Sequence, residues 1–133
     1  MGYHVVRAGE HSFEERPQPT GYESQAARLA ADVTTSAALQ HSRARLWRYP
    51  PGTRGRRHAD EFQEEVFVVI SGTLTMLLGE PPEKVELPSE SVVAVEPKTP
   101  LQLRNDTDDE VVVFIYGAPP LQGQPEFFDD PEP

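Results

Sequence analysis

Three side chains that can bind a metal ion or move a proton lie close together in the sequence: His58, Asp60 and Glu65. His58 and Asp60 are two positions apart, so on an extended chain both side chains point to the same face. Glu65 directly precedes the apolar run 66–70. A turn and a second strand can therefore bring its carboxylate alongside His58 and Asp60. One imidazole and two carboxylates can hold iron, manganese, nickel or zinc, or they can pass a proton between them.

The composition excludes several classes of function. There is no cysteine, which removes disulfides, thiolate nucleophiles and cysteine-ligated zinc. A formal net charge of -10 opposes binding to a phosphate backbone or an anionic bilayer, so we expect neither a nucleic-acid nor a membrane partner. No apolar run approaches the roughly eighteen residues that cross a bilayer, and the N-terminus lacks a basic-then-apolar signal pattern. A chain of 133 residues with these properties predicts one soluble, cytoplasmic domain.

Positive charge is concentrated in one stretch of this acidic chain. Six of the ten arginines fall there: Arg43, Arg45, Arg48, Arg54, Arg56 and Arg57. One interpretation is a solvated basic strand and loop that face acidic surface elsewhere. The other is the rim of an anion-recognising pocket, because the guanidinium fork matches carboxylates and phosphates.

The elements that must position these residues are strands. Short apolar or alternating segments, separated by turn-forming proline, glycine and polar residues, predict strands at 43–49, 65–70, 73–78, 91–95, 101–105 and 111–116. Their close spacing and the near absence of helical periodicity predict an all-β domain, a barrel or a sandwich.

The two ends of the chain differ from this middle part. Residues 22–31 carry a weak helical pattern within a peripheral arm, and the chain after Gly117 is rich in proline and acidic residues. Phe127 and Phe128 predict that part of this tail docks, on its own barrel or on a partner subunit. We therefore divide the chain into an N-terminal arm at 1–40, a barrel at 41–117 and a C-terminal extension at 118–133.

The segment that contains the three candidate ligands resembles the first cupin motif, in which glycine, two histidines, glutamate and glycine follow at fixed spacing. Gly52, His58, Glu65 and Gly72 match that spacing, with Asp60 in the position of the second histidine. The resemblance implies a cupin-type double-stranded β-helix, or jelly-roll, barrel.

The segment 90–105 resembles the second cupin motif, which carries a further metal-binding histidine. Leu101 takes that position here, and leucine cannot bind a metal. The four-ligand set that the family implies is thus reduced to His58 and Glu65, with Asp60 as a substitute. The resemblance therefore implies either no cofactor or a weakly bound divalent ion (iron, manganese, nickel or zinc), in a degenerate site.

Strand parity suggests which other side chains reach the barrel cavity. If Ala44 and Leu46 point inward, Arg48 shares their face; in the other register Arg48 lies outside and Trp47 and Tyr49 are buried. Phe67 shares a face with Glu65, and Leu103 with Leu101. The predicted ligand-binding set is His58, Asp60, Glu65, Arg48, Phe67, Leu101 and Leu103.

Three functions remain open, with no catalytic residue assigned. The first is a small-molecule-binding cupin without metal chemistry. The second is a metal-dependent oxygenase or isomerase, in which His58, Asp60 and Glu65 bind the ion and Glu64 or Arg48 handles the substrate. The third is a metal-free isomerase in which His58 pairs with a carboxylate as acid and base. The resemblance also implies a homodimer, formed through the barrel sheets.

Overall fold

Alternating inward and outward side chains let two antiparallel sheets close on one core. The computed structural model describes residues 2–121 and 123–131. Its strands are β1 (Phe13–Arg16), β2 (Arg28–Asp32), β3 (Arg43–Tyr49), β4 (His58–Ala59), β5 (Glu64–Ser71), β6 (Leu74–Leu78), β7 (Glu83–Leu87), β8 (Val92–Val95), β9 (Leu101–Arg104), β10 (Val111–Ala118) and β11 (Glu126–Phe127). A 3₁₀ turn at Ala8–Glu10 and the short helix α1 (Val33–Ser36) complete the described elements. Among these residues no helix is long and apolar enough to span a membrane.

The strands form two sheets, and the core lies between them. The larger sheet has the order β1-β2-β3-β10-β5-β8, and the smaller has the order β11-β4-β9-β6-β7. Each sheet contributes fully buried side chains to the core: Phe67, Val69, Leu74, Met76, Leu101, Val111 and Val113. This all-β jelly-roll architecture confirms the predicted fold class.

The six predicted strands are all present, but the N-terminal arm is organised differently from the prediction. The weak helical pattern at 22–31 does not correspond to a helix, because Arg28–Asp32 forms β2, which pairs with β3 in the larger sheet. Ala30 and Ala31 are buried there, where small side chains pack closely against the neighbouring strand. Helix begins only at Val33, after Asp32 caps its first turn by accepting a hydrogen bond from the Thr35 N–H.

Gly72 lies in a turn where a residue with a Cβ would have to displace the neighbouring backbone. Its φ is +81°, in the left-handed region, and a Cβ at this position would lie 2.6 Å from the Glu110 carbonyl oxygen. The turn joins β5 to β6 and so links the two sheets.

The C-terminal extension lies across the smaller sheet of its own barrel. Strand β11 pairs with β4, and the Phe128 N–H donates to the Arg57 carbonyl oxygen at 3.0 Å. Asp130 accepts hydrogen bonds from Arg54 at 2.9 Å and from the Tyr22 hydroxyl at 2.6 Å. The described part of the tail is thus held by backbone pairing and by a half-buried ion pair.

Candidate functional site

Two neighbouring strands position His58. In the smaller sheet it lies opposite Leu101 on β9 and opposite Phe127 on β11. Its Nδ1 is 2.9 Å from the carbonyl oxygen of Arg56, and because a carbonyl only accepts, Nδ1 carries the proton. In the neutral imidazole Nε2 then carries the lone pair, and it lies 3.8 Å from Oδ2 of Asp60.

Asp60 and Glu65 complete a cluster with this imidazole. One ligand atom of each of the three residues lies within 4.8 Å of the other two. Oδ2 of Asp60 is buried and has no hydrogen-bond donor among the described residues. A buried acceptor without a donor is unfavourable, so this oxygen favours a proton or a cation beside it.

Glu65 supplies such a proton. Burial raises the pKa of Glu65 to about 9, and the rise is reinforced by a hydrogen bond and by charge repulsion from Asp60. The guanidinium groups of Arg43 and Arg45 oppose the rise but do not cancel it. At neutral pH a protonated Glu65 can donate to the Asp60 carboxylate.

The same three residues also fit a divalent cation, through one imidazole nitrogen and two carboxylate oxygens. A further ligand from β9 is absent, because Leu101 lies directly opposite His58, is 2% exposed and offers only methyl groups. A bound ion would thus have three protein ligands and would supply a Lewis acid at this end of the barrel.

The cluster opens into a cavity of about 570 Å³ between the sheets. This volume falls in the range that accommodates a small organic ligand. Much of the wall is apolar or aromatic: Trp47, Tyr49, Phe67, Leu101, Leu103, Ile115 and Phe127.

The rest of the cavity wall is strongly basic. Five arginines line it: Arg16, Arg28, Arg43, Arg45 and Arg56. Arg28 is buried, with its guanidinium carbon 5.2 Å from the Trp47 ring and 5.5 Å from the Tyr49 ring. The Arg56 guanidinium lies 3.7 Å over the ring of Phe127, which places the tail at the cavity wall.

The structure brings most of the predicted site residues together. His58, Glu65, Phe67, Leu101 and Leu103 line the cavity. Asp60 is not part of the cavity wall but completes the cluster beside it.

Arg48 is the exception, because it does not line the cavity. The first facing considered for β3, in which Arg48 points inward, is therefore wrong. The Arg48 guanidinium bonds Glu110 at 2.7 Å on the outer surface and lies 4.8 Å over the Phe13 ring. The second register is the one present, so Trp47 and Tyr49 face the cavity.

Sequence reasoning missed the contribution of the arm to this site. Arg16 and Arg28 reach the cavity because β1 and β2 extend the larger sheet past β3. The available signal is weak: Arg16 ends the short, mostly charged segment 13–16, and Arg28 begins the segment 28–32, whose alternation is obscured by alanine.

A model of the cupin domain family matches residues 45–116 of the sequence. The match covers more than half of the chain, and the protein therefore belongs to the cupin family. No curated protein sequence matches the chain significantly.

Several solved structures share this fold. The polyketide cyclase RemF from Streptomyces resistomycificus has a TM-score of 0.78 at 14% identity, covering 96% of this chain and 87% of that chain. A sugar phosphate isomerase from Silicibacter pomeroyi has a TM-score of 0.73 at 17% identity, covering 86% and 74% respectively. A predicted oxalate decarboxylase from Thermotoga maritima has a TM-score of 0.72 at 15% identity, covering 86% and 97%. At these identities the likeness shows the fold alone.

Proposed function

We propose that this protein binds a small organic molecule in the barrel cavity, without the metal chemistry of a four-ligand cupin centre. The observation that carries the proposal is the position of Leu101. It lies opposite His58, where a further ligand would stand, and it joins Phe67 and Leu103 in an apolar cavity wall. An apolar body is favoured against such a wall, because contact removes its surface from water.

The cluster beside the cavity gives the ligand polar partners. The Nε2 lone pair of His58 can accept a hydrogen bond, and a protonated Glu65 can donate one. We assign these groups the task of orienting the bound molecule.

The test uses a neutral fluorescent probe, phenylnaphthylamine, whose emission rises in an apolar site. Ile115→Trp fills the cavity wall on β10, and Tyr116→Trp places the same side chain on the exposed outer face of that strand. Probe binding should be lost in the first variant and kept in the second. Leu101→Phe is a second filling variant, and circular dichroism checks that each variant folds. Equal probe binding by both filling variants and the parent would refute the proposal.

A second candidate is a metal-dependent oxygenase or isomerase that uses His58, Asp60 and Glu65. It is favoured by the buried Oδ2 of Asp60, which accepts no hydrogen bond from the residues that the structure describes, and by the convergence of the three ligand atoms. Metal analysis of untagged protein prepared without chelator decides between the two. Stoichiometric iron, manganese, nickel or zinc would replace the first proposal with the second.

A third candidate is a metal-free isomerase in which His58 and a carboxylate transfer the proton. Its support is the 3.8 Å separation of His58 Nε2 and Asp60 Oδ2, together with the raised pKa of Glu65. Exchange of deuterium from solvent into a bound carbonyl compound would favour it over simple binding.

A further inference from the structure

We propose that the ligand of the cavity is an organic oxyanion, a carboxylate or a phosphate with an apolar body, bound by Arg16, Arg28 and Arg45. This inference rests on the proposed binding function and adds the chemical class of the ligand. Five arginines line the cavity, although the chain as a whole carries a formal net charge of -10. Glu65 is the one carboxylate among the described lining residues.

Arg45 lies among like charges, and within the described part of the chain it forms no ion pair. Burial lowers its pKa, and the nearby Arg16 and Arg43 guanidinium groups lower it further, whereas the carboxyl groups of Asp32 and Glu65 oppose the shift without cancelling it. Among the described residues no carboxylate lies within 4.0 Å of the Arg45 guanidinium. A half-buried guanidinium among like charges, with no carboxylate of the described residues in contact with it, is unfavourable, and a bound anion beside Arg45 would relieve it.

The nearest acidic residue on the adjoining strand has another partner. Asp32 lies opposite Arg45 in the β2–β3 register, but its carboxylate accepts hydrogen bonds from the backbone and hydroxyl groups of Thr35. Asp32 thus caps α1 rather than pairing with Arg45. Asp32 attracts Arg45 from a distance, and the Arg45 guanidinium itself remains available to an anionic ligand.

Arg28 offers a further donor in a buried position. Its Nη1 donates to the Tyr49 hydroxyl at 3.3 Å and its Nη2 to the Pro17 carbonyl at 2.7 Å. Its Nε–H is buried and has no acceptor among the described residues. Arg28 is 7% exposed, so an acceptor from a ligand in the cavity is the direct way to satisfy this donor.

The apolar part of the ligand follows from what lies beside the arginines. Trp47 shares the inner face of β3 with Arg45, and Ile115 on β10 lies directly opposite Arg45. Phe67 lies opposite Ile115 on the next strand. An anion with a compact aromatic or aliphatic body can therefore contact guanidinium groups and apolar wall at once.

Four probes of the same shape test the charge requirement: phenylacetate, benzyl phosphate, phenylacetamide and phenethylammonium. Calorimetry measures each affinity, and the fluorescence of Trp47, the one tryptophan of the chain, reports entry into the cavity. We expect at least one oxyanion to bind about tenfold more tightly than the amide, with the ammonium weakest. The tighter of the two oxyanions distinguishes carboxylate from phosphate recognition. Added salt should weaken binding of the oxyanion and leave that of the amide unchanged.

Arg45→Gln and Arg16→Gln, on different strands, should each lower the oxyanion affinity about tenfold and leave the amide affinity within about twofold. Arg48→Gln is the matched control, because it removes the same charge from the outer face of β3. Equal binding of amide and oxyanion, or equal loss in Arg48→Gln and Arg45→Gln, would overturn the inference while the proposed function stands. Failure of phenylnaphthylamine and of all four probes to enter the cavity would instead refute the proposed function.

Discussion

Replacing Glu65 by glutamine tests the protonated state of the cluster. The pKa of Glu65 is raised from 4.5 to about 9, so across this interval the native protein holds a proton that the unfolded chain has released. The bound proton stabilises the native state relative to the unfolded chain. This contribution to the free energy of unfolding is fully present below about pH 4.5 and is lost as pH rises through about 9. For one proton the loss is on the order of 1 kcal/mol per pH unit. Glu65→Gln removes this dependence, since a neutral amide replaces a neutral acid.

The assay is urea unfolding of chelator-treated protein, followed by the fluorescence of Trp47, because a bound cation would compete with the proton. From about pH 6 to about pH 8 the stability of Glu65→Gln relative to the parent should rise by about 2 kcal/mol. Glu64→Gln is the matched control, because Glu64 is the exposed preceding residue of the same strand. Over the same pH interval its free energy of unfolding relative to the parent should change by less than about 0.5 kcal/mol. A Glu65→Gln difference that stays constant over this interval would show that Glu65 is ionised in the native state.

Four further predictions address the metal site, the tail and the assembly. Chelator should shift the melting temperature by no more than a few degrees in differential scanning fluorimetry, because apolar strands supply the core. Leu101→His should bind added nickel or zinc on the order of a hundredfold more tightly than the parent in calorimetry, since it places an imidazole opposite His58; equal affinity in a folded variant would contradict the assignment of the second motif. Truncation after Gly117 removes Asp130 from the half-buried Arg54 and should lower the free energy of unfolding by about 3 kcal/mol. Sedimentation of the parent chain tests the predicted homodimer. If the truncated chain sediments as a monomer while the parent is a dimer, the tail lies at the subunit interface.

The strands predicted from sequence are those in which local pattern and tertiary environment agree. Arg43–Tyr49 has the predicted bounds, and β5, β6, β8, β9 and β10 lie within a residue or two of theirs. Each is bounded by proline, glycine or a polar turn, so its ends are encoded locally. The bounds of β1, β2, β4, β7 and β11 were not predicted, because these strands are short, polar or alanine-rich and are fixed by a neighbouring strand edge.

The site residues could be predicted where their spacing in a motif determines their position. They could not be predicted where their position depends only on which face of a strand points inward. The spacing of His58, Asp60 and Glu65 brought them together as predicted, and Leu101 faces them from β9. Arg48 could not be placed from sequence, because every residue from 43 to 49 is either apolar or an arginine with an apolar stem. The side-chain pattern alone therefore does not select the facing of this strand, which pairs with β10 on one side and with β2 on the other.

The alternation of β3 explains how one basic segment can serve two purposes. Arg48 faces outward, where Glu110 neutralises it at 2.7 Å and no ligand is needed. Arg45, three residues earlier on the opposite face, lies in the cavity wall with a second arginine close by and without an ion pair within 4.0 Å among the described residues. The two interpretations of the arginine cluster thus apply to different faces of the same strand. Because Glu110 neutralises Arg48, whereas no carboxylate of the described residues lies within ion-pair distance of Arg45, an external anion would contribute more to stability beside Arg45 than beside Arg48.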